Sequence, residues 1–199
     1  TALTNLQYIP VANANGDVAY TMTVLDGTTS DVDISSITLS AANDAPTVSS
    51  TPATLTVTED TASNLTLSDV VFADVDSGDS LTVSVVASAG SLAAADGTGN
   101  SVTETGSGST VTLVGTPANL NTYLDTASNL QYTAVANANG ASQATITMSG
   151  TDVGGPAALT TSPSIIIDVT AVNDAPTISS APTTLSVTED MASHLTLGA

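Results

Sequence analysis

The chain has no Lys, Arg, Cys or Trp, and a single His, in 199 residues. With no basic side chain it cannot neutralise phosphates, so nucleic-acid binding is excluded. The same sign argument excludes attraction to an anionic membrane surface. Disulfides, lysine isopeptide cross-links and Schiff-base chemistry are all impossible. No apolar run approaches the ~20 residues that span a bilayer, and the basic n-region of a signal peptide is missing. No direct membrane insertion is expected, and an export signal, if the protein is secreted, is expected to lie outside these residues.

What is present is acidic and β-forming. Sixteen Asp and three Glu give a formal charge of −19, which by itself suggests disorder. Against that stand 41% hydrophobic residues and a positive mean hydropathy of +0.28. Ser and Thr together supply 60 residues, while Glu, Lys, Arg and Gln are scarce or missing. Thr and Val suit a pleated, half-buried surface, and the missing residues are the surface helix formers. The composition is that of an all-β protein.

Internal repetition sets the organisation. Asn43-Asp44-Ala45-Pro46-Thr47 returns as Asn173-Asp174-Ala175-Pro176-Thr177, and 16 of 22 positions are identical between 46–67 and 176–197. Asn5-Leu6-Gln7-Tyr8 likewise returns as Asn129-Leu130-Gln131-Tyr132. Three units follow: 1–45 is the C-terminal part of one repeat, 46–175 a complete repeat, and 176–199 the start of the next. Such a pattern is expected of a slice through a longer tandem array. Residues 1–45 are accordingly expected to fold like 130–175.

Strands are expected at Thr54–Thr58, Leu65–Phe72, Leu81–Ala87, Ser101–Thr105, Thr110–Val114, Asn129–Ala136, Ala144–Ser149 and Ser164–Thr170. Two of them, at 81–85 and 110–114, alternate at period two. Between them and the later strands, Thr116 to Leu124 reads as one or two helical turns opened by Pro117. This many short strands in about 130 residues indicates an immunoglobulin-like β-sandwich. Pro46 and Pro176, which fix φ and lack a donor, suit short, stiff connections between successive sandwiches.

Asn-Asp-Ala-Pro at a domain junction, Thr-Glu-Asp about a dozen residues later, and Ala73-Asp74-Val75-Asp76-Ser77-Gly78-Asp79 ahead of a strand resemble the cadherin-like repeats of large bacterial secreted adhesins. The resemblance covers essentially the whole chain. It implies tandem repeats of about 130 residues with calcium held between neighbours. On that basis Asn43 and Asp44 are linker ligands, joined by Asp74, Asp76 and Asp79 of the following unit. At the second junction Asn173 and Asp174 match the linker, and Glu59 and Asp60 match the acidic element of the preceding unit. Ser40 and Thr170 stand near the place of the Asp that opens the animal cadherin linker, and an Asp-Arg-Glu ligand segment cannot exist without Arg. One or two ions per junction are therefore expected.

The chemistry points the same way. Calcium takes 6–8 oxygen ligands from carboxylates, Asn side chains, carbonyls and water. Carboxylates at positions 74, 76 and 79 can converge on one point, where they would repel each other unless neutralised. The same residues also suit a plain turn. Other chemistry is poorly supplied. A single His cannot furnish a Ser-His-Asp set in each repeat, and His194 aligns with Asn64, which marks a surface position. Four Tyr, one Phe and no Trp are a thin stock for sugar recognition; Tyr8 and Tyr132 occupy one repeat position and read as core aromatics. No enzymatic role is expected. The sequence reads as calcium-rigidified spacer repeats of an extracellular adhesin or matrix protein, whose partners are neighbouring repeats of the same chain. The alternative is a subunit of a self-assembling filament, sheath or surface layer with lateral copies as partners.

Overall fold

Buried and half-buried residues alternate along the whole of Leu81–Ala87, the strand on which the main sheet is built. The computed structural model describes residues 5–76, 78, 80–152, 159, 161–178 and 183–194. Along the chain come β1 (Gly16–Leu25), β2 (Ser30–Leu39), β3 (Thr47–Ser49), β4 (Thr54–Thr58), β5 (Ala62–Asn64), β6 (Val71–Ala73), β7 (Leu81–Ala87) and β8 (Ser91–Ala94). Then follow β9 (Thr103–Thr105), β10 (Thr110–Gly115), α1 (Pro117–Leu124), β11 (Leu130–Thr133), β12 (Gly140–Asp152) and β13 (Ser164–Thr170). The described residues are all-β apart from α1 and two short 3-10 turns.

The largest sheet has six strands in the order β4-β13-β12-β7-β10-β9, and a second has three in the order β5-β11-β8. Neighbours are antiparallel except β4 and β13, which run parallel with Thr54 opposite Ile166 and Thr58 opposite Thr170. Val83, Val85, Leu113, Ile146 and Met148 of the larger sheet share one apolar cluster with Leu92, Leu130 and Tyr132 of the smaller. Burying side chains of this size is worth about 1.5–3 kcal/mol each, and this term holds the layers together. Among the described residues β3 pairs only with β6, and β1 with β2 forms a separate hairpin.

The short helix closes the cluster and fixes a loop. Pro117 supplies a preset φ at the first turn, and Thr116 Oγ1 accepts from the Asn119 amide at 3.3 Å. Leu120, Tyr123 and Leu124 are buried. Asn121 meets both backbone groups of Phe72: its Oδ1 accepts from the Phe72 N–H at 2.8 Å and its Nδ2 donates to the Phe72 carbonyl at 3.0 Å. The amide therefore stands in for a neighbouring strand at β6, just ahead of Asp74. Burial pushes the Tyr123 hydroxyl up to about 12, with Glu104 adding to the shift. That hydroxyl donates to the Ala95 carbonyl at 2.6 Å.

Several expected strands differ from those observed. The run Leu65–Phe72 is not one strand: a turn at Ser68-Asp69 divides it, and Leu65, Leu67 and Val70 reach the core from irregular backbone. Ser101–Thr105 shrinks to Thr103–Thr105 and Asn129–Ala136 to Leu130–Thr133, whereas Ala144–Ser149 lengthens to Gly140–Asp152. Tyr8 is not a core residue in this chain. It is 46% exposed while Tyr132 is 1% exposed, because the hairpin that follows Tyr8 has no second layer packed on it among the described residues.

Replacing Asn121 with Leu should cost about 1–3 kcal/mol, since it strands the amide and carbonyl of buried Phe72. Urea denaturation reads this directly, and an unchanged midpoint would show that the bridge is dispensable. In the β1–β2 turn the amides of Thr29 and Thr28 hold the Asp26 carboxyl down to about 2, from 3.8. A depressed carboxylate stabilises the fold above its unfolded value and loses that contribution as pH falls through the folded one. Carbon-detected NMR should thus show Asp26 titrating near pH 2 and the turn loosening between about pH 4 and 2.

Candidate metal centre

The acidic residues singled out in the sequence gather in two groups at opposite ends of β12. That strand spans 13 residues, on the order of 40 Å at strand rise. At one end, where β12 finishes at Asp152, lie Asn43 and Asp44 in the connection from β2 to β3, and Asp74 and Asp76 after β6. Asp76 Oδ2 accepts from the Asp44 amide at 2.6 Å, and Asp74 Oδ1 accepts from the Asp76 amide at 2.9 Å. Asn43 Nδ2 donates to the Asp44 carbonyl at 3.1 Å and to Asp152 Oδ2 at 2.9 Å. The other oxygen of Asp74, Oδ2, is buried and meets no hydrogen-bond partner among the described residues. A carboxylate oxygen withdrawn from water with both lone pairs uncommitted is the donor type a hard cation takes. Asp79 lies outside the described residues.

At the other end β4 runs into Glu59-Asp60, and β13 into the segment that carries Asn173 and Asp174. One carboxylate oxygen from each of Glu59, Asp60 and Asp174 lies within 4.8 Å of the others. Glu59 is 1% exposed. Its amide donates to the Thr170 carbonyl at 3.1 Å, which prolongs the parallel ladder by one rung. Its Oε1 accepts from the Val172 amide at 2.6 Å and its Oε2 from Asn139 Nδ2 at 3.4 Å. Asp60 takes a left-handed φ of 60° to turn the chain back into β5. Asn173 Nδ2 donates to the Asp174 carbonyl at 3.1 Å, the same contact and distance found at Asn43 and Asp44.

Each group thus holds oxygen donors from non-contiguous segments with no cationic side chain beside them. The structure brings Asp44 to Asp76 and Asp174 to Glu59 and Asp60. It does not bring Glu59 or Asp60 near Asp74. Two participants were not foreseen. Asp152 shows in the sequence only once Thr21-Met22 to Asp26 is aligned with Thr147-Met148 to Asp152. Asn139 belongs to the repeated Asn-Ala-Asn-Gly element, whose position beside Glu59 depends on the tertiary fold. The neutral Asn carboxamides lie against the acids because they offer N–H donors without adding charge.

No family model matches this chain, and no curated protein does. Among solved structures, an endo-fucoidan hydrolase from glycoside hydrolase family 107 is 23% identical over 83% of this chain, with a TM-score of 0.31. The chain spans 20% of that enzyme's length. The expectation of a non-enzymatic protein is withdrawn as unsupported, the structural neighbour being a hydrolase, and a likeness of TM-score 0.31 assigns no activity to this chain. The physical flaw in the expectation is plain: lacking a Ser-His-Asp set or aromatic platforms excludes particular chemistries, not every reaction a carboxylate-rich segment can join. A likeness this weak carries no argument for a given activity. Among the described residues no helix is long and apolar enough to cross a membrane.

Glu59→Ala should abolish hydrogen-exchange protection of the Val172 amide and loosen 171–174, leaving the strands protected. Glu59→Gln, which keeps an acceptor at that place, should retain most of the protection. Equal protection in all three proteins would mean that the carboxylate does not hold this segment.

Proposed function

We propose that the chain is a stretch of spacer repeats from a large extracellular adhesin or matrix protein, similar to cadherin-like repeats and stiffened by calcium where one repeat meets the next. The observation that carries this is the complementarity of the two acidic groups. One holds Glu59 and Asp60 with the linker residue Asp174; the other holds the linker residue Asp44 with Asp74, Asp76 and Asp152. Superposed through their matching Asn-Asp linkers, they are the two halves of one junction, drawing donors from the foot of one repeat, the linker and the head of the next.

Other features support the repeat. Gly16 pairs with Leu39 in the first hairpin and Gly140 with Val169 in the second, the same repeat positions in the same register. Asn13 and Asn137 both adopt left-handed φ, at 63° and 59°, and so do Gly16 and Gly140. Asn and Gly are the residues that tolerate this conformation, and the repeated Asn-Ala-Asn-Gly element places them at both sites.

Calcium would supply the positive charge that the chain lacks. Glu59, Asp60 and Asp174 would hold it at one junction, and Asp44, Asp74 and Asp76 at the other. Carboxylates about 4 Å apart repel by roughly 1 kcal/mol per pair in water and about 4 kcal/mol near a protein surface. An ion reverses that sign and ties linker to sheet. A row of such junctions would hold a distal module away from the cell surface.

Calcium should raise the melting temperature more than sodium at equal ionic strength, and calorimetry should detect discrete binding. Asp60→Asn with Asp174→Asn should remove the binding at the second junction while the strands stay folded. In a longer stretch with two complete repeats, chelation should shorten the maximum dimension seen by small-angle scattering. Identical melting in both salts together with scattering indifferent to chelator would refute the proposal.

A further inference from the structure

Asn-Ala-Asn-Gly occurs at 13–16 and again at 137–140, and each copy ends in an Asn-Gly pair. Asn followed by Gly is the pair most open to spontaneous deamidation. Glycine has no Cβ to shield the backbone nitrogen that attacks the side-chain amide, and its φ is free to bring that nitrogen in. The structure leaves Asn139 open to this reaction. The residue is exposed, lies in irregular backbone ahead of β12, and is followed by Gly140 at φ 109°. Its Nδ2 donates to Glu59 Oε2 at 3.4 Å, longer than a usual N–H···O bond, so the carboxamide is not locked. Asn15, the aligned residue ahead of the unit 46–175, is exposed as well. Asn121 and Asn129 lack both features: their carboxamides bond backbone groups at 2.8–3.0 Å, and Thr122 and Leu130 follow them.

The position of Asn139 gives the reaction a consequence. Glu59 is 1% exposed. Its Oε1 is occupied by the Val172 amide, and its Oε2 faces the Asn139 amide. We propose that Asn139 is a site of spontaneous deamidation, and that the carboxylate it leaves enlarges the acidic group of Glu59, Asp60 and Asp174. The modification stands on Asn139 and Gly140 alone, while its effect on calcium rests on the function proposed above.

The chemistry needs only water. The Gly140 nitrogen gives up its proton and attacks Asn139 Cγ, a ring C–N bond forms, and the Cγ–Nδ2 bond breaks to release ammonia. Water then opens the succinimide at either carbonyl and returns a proton to the nitrogen, leaving aspartate or isoaspartate. The amide donor that faced Glu59 Oε2 has become a carboxylate, and the two like charges repel unless a cation lies between them. Without an ion, Glu59 is pushed away from the Val172 amide and 171–174 loosens. With calcium, the group offers a further charged oxygen, and calcium affinity rises with ligand charge. The isoaspartate form also lengthens the backbone just before Gly140 pairs with Val169. A junction made with a neutral amide would thus gain a cation ligand as it ages, with no enzyme involved.

The full 199-residue chain is kept in mildly alkaline buffer, and its chymotryptic segment between Tyr132 and Met148 is followed by mass spectrometry with fragmentation. Asn139 should convert about tenfold faster than Asn137, which is exposed in the same segment but precedes Ala138. Calorimetry should find calcium bound roughly tenfold more tightly by Asn139→Asp than by the fresh unsubstituted chain, and Asn139→Gln should not change with age. In calcium-free buffer the Val172 amide should exchange faster in Asn139→Asp, and calcium should reverse this. Conversion of Asn139 no faster than Asn137 overturns the modification site. Equal calcium affinity together with equal Val172 exchange in Asn139→Asp and the unsubstituted chain overturns its consequence. If neither protein binds calcium while Asn139 still converts and Val172 exchange still rises, the modification is upheld and the calcium reading alone fails.

Discussion

With no ammonium or guanidinium group in the chain, every carboxylate has to be balanced by N–H dipoles, hydroxyls or ions from solution. The structure meets that constraint with backbone amides. Asp76 takes the amide of Asp44, Glu59 that of Val172, Asp168 that of Ser142, and Glu104 that of Gly97. Hydrogen bonds to an ionised acceptor are about twice as strong as neutral ones, so each acid pins a stretch of chain that has no regular pairing. The Thr98 amide and the Asp96 carboxylate form the same motif in miniature, and the Asp96 carboxyl is held below its usual range by it. Acids are thus the fasteners of loops and ends in this molecule.

The interior is organised independently of those charges. Residues such as Val83, Leu113, Ile146 and Ile167 fill the space between the sheets, and the buried hydroxyls of Tyr123 and Tyr132 reach backbone carbonyls. The two systems meet at a few places. Asn121 ties α1 to β6 immediately before Asp74, and Glu59 extends the β4–β13 ladder before its side chain turns to the linker. Charge neutralisation at the ends can therefore alter how segments outside the sheet are held while the apolar core stays as it is.

Much of this was legible in the residues. The strands expected at 81–87 and 110–114 and the Pro-opened helix stand where the pattern places them, because local propensity and burial agree at those sites. Elsewhere they conflict. Leu65 to Phe72 looks like one apolar run, but Ser68-Asp69 turns the chain inside it. Ser91–Ala94, half of it alanine, has little strand propensity and becomes β8 because β11 pairs with it. Leu6 and Tyr8 match buried Leu130 and Tyr132 residue for residue and are nonetheless exposed. Composition specifies which side chains suit a core, and only the presence of a facing layer makes them one.

The sequence by itself determined the β class, the exclusion of basic and thiol chemistry, and the identity of the acids that recur at fixed spacing. These follow from composition and period, which are local properties. The tertiary structure alone decided which acids become neighbours. Asp44 lies 32 positions from Asp76, and Glu59 lies 113 from Val172. Such contacts are fixed by sheet order, and sheet order depends on which strands share a core. Asp152 was unremarked in the chain and stands in the first group because β12 runs on past β13 to bring it beside Asn43.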